Sequence, residues 1–152
     1  MIASVISVVL AEPPRSPVSI FPQLVQAAVQ GRTLDTAQAH ARAFAEDGSD
    51  LCYVKDCARA IALLQTAKRL NHSVYNIGNG RPITNRDFAD ALRMAAPGAV
   101  IDLPAGHDPQ GFGLSAGLDI SRLRQDTGYE PRYDLAGAVA DYVAWLRQGR
   151  EY

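Results

Sequence analysis

The chain has 152 residues, 47% hydrophobic and 20% charged, and its 15 Lys and Arg nearly cancel 16 Asp and Glu to leave a formal charge of −1. Such a composition belongs to an ordinary globular domain with a core of its own and excludes a disordered chain. The missing basic excess argues against nucleic acid and against an anionic membrane surface as partners.

The opening run, residues 1–11, alternates Val and Ile with Ser and stops at Glu12-Pro13-Pro14. It has no basic residue ahead of the apolar segment and is too short to span a bilayer. It therefore reads as a buried strand, centred on residues 5–10, rather than a leader. A helix is predicted over 19–31, with Pro22 in its first turn and Gly31 past its end. Residues 33–36 admit a short strand, and 37–46 read equally as helix or loop before a turn at Asp47-Gly48.

Leu51-Cys52-Tyr53-Val54 reads as a strand passing into a helix over 57–67, with Asp56 as its N-cap. Residues 73–78 are the next predicted strand. Thr84 with Asp87 three positions on forms a capping box for a helix to Ala96, stopped by Pro97-Gly98. A further strand is predicted over 100–103. The segment 104–117 then holds four glycines and two prolines, and its length marks it as a functional loop. Asp119 is expected to cap a short helix ending at Gly128, and Asp134 a longer one through Arg147.

Strands alternating with helices predict an α/β fold with parallel crossovers. About four short strands are few for a self-sufficient doubly wound sheet. Cys52 and Cys57 lack CxxC spacing and a His cluster, so they read as reduced core thiols of a cytoplasmic protein, and no metal site is expected. Tyr75, Phe88, Tyr142 and Trp145 fit core positions, and His107 beside Asp108 reads as a solvated loop pair.

The series Tyr53-Val54-Lys55-Asp56-Cys57-Ala58-Arg59-Ala60, then Val74-Tyr75-Asn76-Ile77-Gly78-Asn79-Gly80 and the helix opening at Thr84, resembles the C-terminal half of the extended short-chain dehydrogenase/reductase family, the NAD-dependent nucleotide-sugar epimerases and dehydratases. Residues 5–14 resemble the strand leading to that family's Tyr-Gly-Pro segment beside the nicotinamide. Asp119 with Arg122-Leu123-Arg124 and Gly128-Tyr129-Glu130-Pro131 resemble its closing segments. The resemblance implies a partial Rossmann-like α/β fold in which residues 1–152 form one substrate-binding-type region, without the N-terminal cofactor-binding half.

Family chemistry, as the resemblance implies it, is hydride transfer to NAD or NADP, with a Tyr made basic by the Lys of a Tyr-x-x-x-Lys motif. Position +4 after Tyr53, Tyr75, Tyr129, Tyr133 and Tyr142 is Cys57, Asn79, Tyr133, Gly137 and Leu146, so no such motif is present. Gly111-Phe112-Gly113-Leu114-Ser115-Ala116 has GxGxxA spelling but follows no apolar strand, and after Gly78-Asn79-Gly80 an Ile83 stands where the last glycine belongs. Neither catalytic nor cofactor-binding residues are therefore expected in this chain, and NAD or NADP is not expected to bind to it alone.

What remains is substrate binding. By resemblance Ser19 and Ile20 contact the nucleotide, Leu34 lies in the segment lining the base, and 104–117 is the loop over the pyrophosphate. Family members often carry arginines where Ser49 and Pro104-Ala105-Gly106 stand, and arginine forks clamp diphosphates. Their absence leaves room for a smaller substrate. Ser49, Gly106 and Asp108 complete the candidate set. The expected function is the substrate-binding part of an epimerase or dehydratase, an isomerase or oxidoreductase inactive alone. The alternative is a non-catalytic nucleotide or sugar-binding or subunit-docking module. The expected protein partner is a second copy or a separate Rossmann half.

Overall fold

The structure is a computed structural model and describes residues 2–4, 8–10, 20–35, 43–111 and 113–149. In chain order the elements are β1 (Ile2–Ser4), β2 (Val8–Leu10), α1 (Phe21–Val29), β3 (Leu34–Asp35), β4 (Gly48–Tyr53) and α2 (Val54–Thr66). They continue with β5 (Val74–Asn76), β6 (Pro82–Thr84), α3 (Asn85–Ala95), β7 (Ile101–Asp102), α4 (Ser121–Thr127) and α5 (Leu135–Arg147).

Pairing is mostly parallel. β1 lies beside β5, β2 beside β4, and β3 beside β7, while β6 runs antiparallel to the other edge of β4. Successive residues of a strand point to opposite faces, and β4 shows both faces covered. Leu51 and Tyr53 enter one apolar cluster with Phe21, Val25, Phe88, Leu92, Val139 and Tyr142. Cys52, between them, enters a second cluster with Leu64, Tyr75, Ile77, Leu123 and Tyr129. A strand buried on both faces belongs inside a sheet flanked by helices. Here α1, α3 and α5 lie on one side and α2 and α4 on the other. Phe21 and Phe88, with ring centroids 4.5 Å apart, join α1 to α3. This is the α/β class expected.

Several expectations need correction. The single strand read from the run 1–11 is two, β1 and β2, with 5–7 outside the described residues. Residues 36–42 also lie outside them, and 43–47 are not helical. The turn falls at Ala45-Glu46, because Gly48 is drawn into β4, where a Cβ would sit 1.9 Å from the Ile83 carbonyl oxygen. Asp56 is not an N-cap, since α2 begins at Val54 behind Tyr53. Its buried carboxylate instead accepts the amides of Arg132 and Tyr133 at 3.0–3.1 Å, tying the segment before α5 to α2. β6 was not expected: it is three residues long and starts with Pro82, which an edge tolerates because one side of its backbone needs no donor.

Other local signals are realised. Thr84 and Asp87 form the capping box of α3, with Thr84 Oγ1 accepting the Asp87 amide at 3.1 Å and Asp87 accepting the Thr84 amide at 3.0 Å. Asp134 caps α5 through the Gly137 amide at 2.8 Å. Gly128 ends α4 with φ of 68°, a left-handed position that favours glycine. Asp119, by contrast, is not the N-cap expected: Ile120 holds that position, and Asp119, two residues ahead of the helix start, accepts the Ser121 amide at 2.9 Å. No helix among the described residues is long and apolar enough to cross a membrane.

Candidate functional site

The loop from Pro104 onward folds back along the segment that leads into β4. The Ala45 amide donates to the Pro104 carbonyl at 2.9 Å and the Glu46 amide to that of Gly106 at 3.1 Å. Further along, the Gly48 amide donates to the Gly113 carbonyl at 3.3 Å and the Ser115 amide to that of Gly48 at 3.0 Å. Asp47 is the hub of this wall. Its Oδ1 faces His107 Nδ1 at 2.8 Å, its Oδ2 accepts the Asp108 amide at 3.0 Å, and its own carbonyl accepts the Asn85 amide at 2.7 Å. Asn85 Nδ2 donates to the Phe44 carbonyl at 2.8 Å, locking the start of α3 to the same segment.

Two of the six candidates, Gly106 and Asp108, therefore share one wall, and Ser49 adjoins it through Gly48. Ser49 is half-buried in β4, opposite Ile83 of β6 and next to Gly48. Gly106, with φ of 82°, and Asp108 sit on the loop bonded to residues 46–47. Leu34 reaches the neighbourhood through its strand, since β3 pairs with β7 and β7 leads into the loop. Ile20 is 5% exposed and part of the apolar core at the head of α1, and its carbonyl is taken by the Leu24 amide. Ser19 lies outside the described residues. Sequence reasoning missed Asp47 and took His107 for a solvated pair with Asp108. The partner of His107 is 60 residues away, which local spacing does not reveal.

Asp50 was also missed. It is 4% exposed and its carboxylate accepts the amides of Asn79 at 2.7 Å, Gly80 at 2.9 Å and Leu118 at 3.0 Å. This bears on the cofactor. Amides of a Gly-rich turn after a strand are what a dinucleotide pyrophosphate uses, and those after β5 are already committed to a built-in carboxylate. Gly111 and Gly113 lie in a loop rather than between a strand and a helix. Among the described residues, the glycine turns do not fit NAD or NADP.

A tyrosine and a lysine do meet at the end of β4, but in an arrangement unsuited to proton abstraction. The Tyr53 hydroxyl donates to Asp141, and Lys55 Nζ lies 2.5 Å from the same carboxylate. Burial pushes the Asp141 carboxyl up, but Lys55 and the Tyr53 hydroxyl outweigh it and hold the group below its ordinary value. The Tyr53 hydroxyl is thus held by Asp141 of α5, and the cluster braces β4 against α5. Among the described residues no group of three or more His, Cys, Asp or Glu is placed to hold a metal ion.

No family model matches the chain. Over 103 residues it is 32% identical to a dTDP-glucose 4,6-dehydratase of Actinoplanes sp., a match covering 68% of this chain and 32% of the relative. In fold it superposes on an L-threonine dehydrogenase of Cupriavidus necator with TM-score 0.71 and 25% identity, covering 92% of this chain and 46% of that one. It also superposes on the UDP-glucose 4-epimerase of Thermotoga maritima, whose structure contains UDP-glucose, with TM-score 0.70 and 21% identity, covering 94% and 44%. The chain spans about a third of the length of the dehydratases it matches.

Proposed function

Because the chain is homologous to the C-terminal part of the NAD-dependent epimerases and dehydratases of the extended short-chain dehydrogenase/reductase type, we propose that it supplies the substrate side of such an enzyme and none of the hydride-transfer machinery. The observation that carries this reading is the Asp47-centred wall, which joins Gly106 and Asp108 to residues 45–48, next to Ser49 in β4. The substrate is a nucleotide sugar lying along the loop 104–115. His107, with Nδ1 turned to Asp47, offers Nε2 and, when protonated, a positive charge to an anionic group.

The absence of a Tyr-x-x-x-Lys motif and the prior commitment of the Asn79 and Gly80 amides to Asp50 support a chain that does not turn substrate over alone. The region 1–152 then acts with a cofactor-binding half. A second reading, a small polar substrate without a diphosphate, is favoured by Ser49 and Gly106 occupying positions where the family resemblance leads one to expect arginine. The L-threonine dehydrogenase likeness is the precedent for it.

The test is a hydrogen-exchange footprint with dTDP-glucose, UDP-glucose and L-threonine in parallel, together with a turnover assay in NAD. Slowed exchange over 104–115 with a sugar nucleotide is expected, and no NADH or sugar product. Protection by L-threonine alone favours the second reading, and conversion by the chain alone overturns both.

A further inference from the structure

Two buried aspartates frame a cleft to which no described residue of the loop 104–115 contributes. Asp50 accepts the amides of Asn79 and Gly80 and fixes the turn between β5 and β6, while Asp56 accepts those of Arg132 and Tyr133 and fixes the approach to α5. Between these anchored segments lies an open cleft of about 540 Å³, bordered by Arg81, Arg132 and, from α4, Arg124. The backbone of Arg81 is packed as well as tied, since a Cβ on Gly117 would sit 2.9 Å from its Cα. The cleft is also set apart from the Asp47 wall. Gly48, in that wall, pairs with Thr84, whereas Arg81 precedes Pro82 at the opposite end of β6, where the partner is Asp50. Three residues of strand put about 10 Å between the two ends.

The charges in the cleft are unequally used. Arg124 is forked onto one oxygen of Glu130, with Nε at 3.1 Å and Nη2 at 2.8 Å from Oε2. Arg81 and Arg132 are exposed, and among the described residues no carboxylate lies within ion-pair distance of either guanidinium. Other exposed arginines are paired, Arg86 with Glu46 and Arg93 with Asp90. The two acidic side chains of the cleft each keep an oxygen uncommitted among the described residues. Glu130 receives Arg124 on Oε2 and Asp134 receives the Gly137 amide on Oδ1, which leaves Oε1 and Oδ2 as acceptors.

We propose that this cleft is a second ligand site, separate from the substrate wall, and that it takes a sugar phosphate. Arg81 and Arg132 hold the phosphoryl group, and the uncommitted oxygens of Glu130 and Asp134 accept hydroxyls of the sugar. A guanidinium fork matches the oxygens of a phosphate, and two forks held by no carboxylate bind it without first breaking an ion pair. The size of the cleft calls for more than a bare anion, since clefts of about 300–1,000 Å³ enclose whole organic ligands. The acidic pair decides what the rest of the ligand is. Glu130 and Asp134 repel a second anionic group but accept from hydroxyls, which favours a neutral, hydroxylated body over a dicarboxylate or a second phosphate. Because both backbone segments are already anchored, binding has to order only the side chains.

The experiment is an NMR titration of the folded chain with glucose 1-phosphate and glucose 6-phosphate, with inorganic phosphate and glucose as controls. Saturable shifts are expected at residues 79–81 and 130–137 with a sugar phosphate, with roughly tenfold weaker binding of inorganic phosphate and none of glucose. Arg81→Ala and Arg132→Ala should each weaken the sugar phosphate by about tenfold or more. Both side chains are exposed, so both variants should keep the urea midpoint of the unmodified chain, and their lost affinity then reports the cleft rather than the fold. Four results would each overturn the proposal: no saturation with either sugar phosphate, shifts confined to 104–115, inorganic phosphate binding as tightly as the sugar phosphates, or unchanged affinity in both arginine variants.

Discussion

Replacing Asp50 tests how the walls of the site are held. Its carboxylate is the shared acceptor of three backbone amides from two separate segments, at Asn79, Gly80 and Leu118. Gly78 packs so closely that a Cβ there would lie 2.9 Å from Asp50 Oδ2. In Asp50→Ala all three donors lose that acceptor in a buried place. Each buried amide left unpaired costs about 1–3 kcal/mol. Allowing for water entering the space left by the carboxylate, the expected loss is about 4 kcal/mol, against a total stability of about 5–15 kcal/mol for a typical domain. With a urea m-value of about 2 kcal/mol/M, the unfolding midpoint should fall by roughly 2 M. Asp50→Asn should be milder and informative about geometry. Oδ1 holds Asn79, whereas Oδ2 holds both Gly80 and Leu118, so an amide oriented with its oxygen toward the latter pair keeps two bonds and loses one. A cost of about 1–2 kcal/mol follows. Equilibrium urea unfolding followed by circular dichroism measures both variants. An Asp50→Ala midpoint within about 0.5 M of the unmodified chain would refute the reasoning.

Gly48→Ala should cost about 2–4 kcal/mol in the same assay, since the added methyl meets the Ile83 carbonyl at 1.9 Å and parting β4 from β6 also loosens the bonds to Gly113 and Ser115. Asp56→Ala should cost about 2–4 kcal/mol by freeing the amides of Arg132 and Tyr133, and hydrogen exchange at those two residues should quicken well before global unfolding. Asp126 gives a pH signature. Hydrogen bonds from the Tyr75 hydroxyl first, then from the Asn71 side chain and amide, hold its carboxyl far below the ordinary range. A carboxyl depressed in the folded state binds protons more readily unfolded. Its contribution is therefore complete above about pH 4 and lost as pH falls below it. The melting temperature of the unmodified chain should drop on acidification through that range, and Asp126→Asn should flatten the drop. An equal slope in both would contradict the assignment.

Signals that act within a few residues were legible in the sequence. The capping box at Thr84 and Asp87, the cap at Asp134 and the glycine at 128 each satisfy backbone groups of their own helix, so their spacing is visible in the chain. Asp56 shows the limit. It has the composition of a cap and lies at a helix start, yet the backbone amides its carboxylate accepts belong to a segment 76–77 residues away. Asp47 and Asp50 are alike in this, as carboxylates whose partners are set by tertiary contacts, and nothing local marks them. β6 was hidden because a three-residue edge strand has no period to detect. The wall of the candidate site was legible only in parts. The loop 104–117 stood out by length and glycine content and Ser49 by resemblance, while the hub that joins them did not.

The central claim is that this chain holds the substrate of an epimerase or dehydratase-type enzyme and not its dinucleotide. The most direct test is equilibrium titration calorimetry of the folded chain with NAD in one cell and a sugar nucleotide, dTDP-glucose or UDP-glucose, in another. A sugar nucleotide should bind saturably, with binding weakened by His107→Ala, and NAD should not bind. Saturable NAD binding to the chain alone, with no response to either sugar nucleotide, would contradict it.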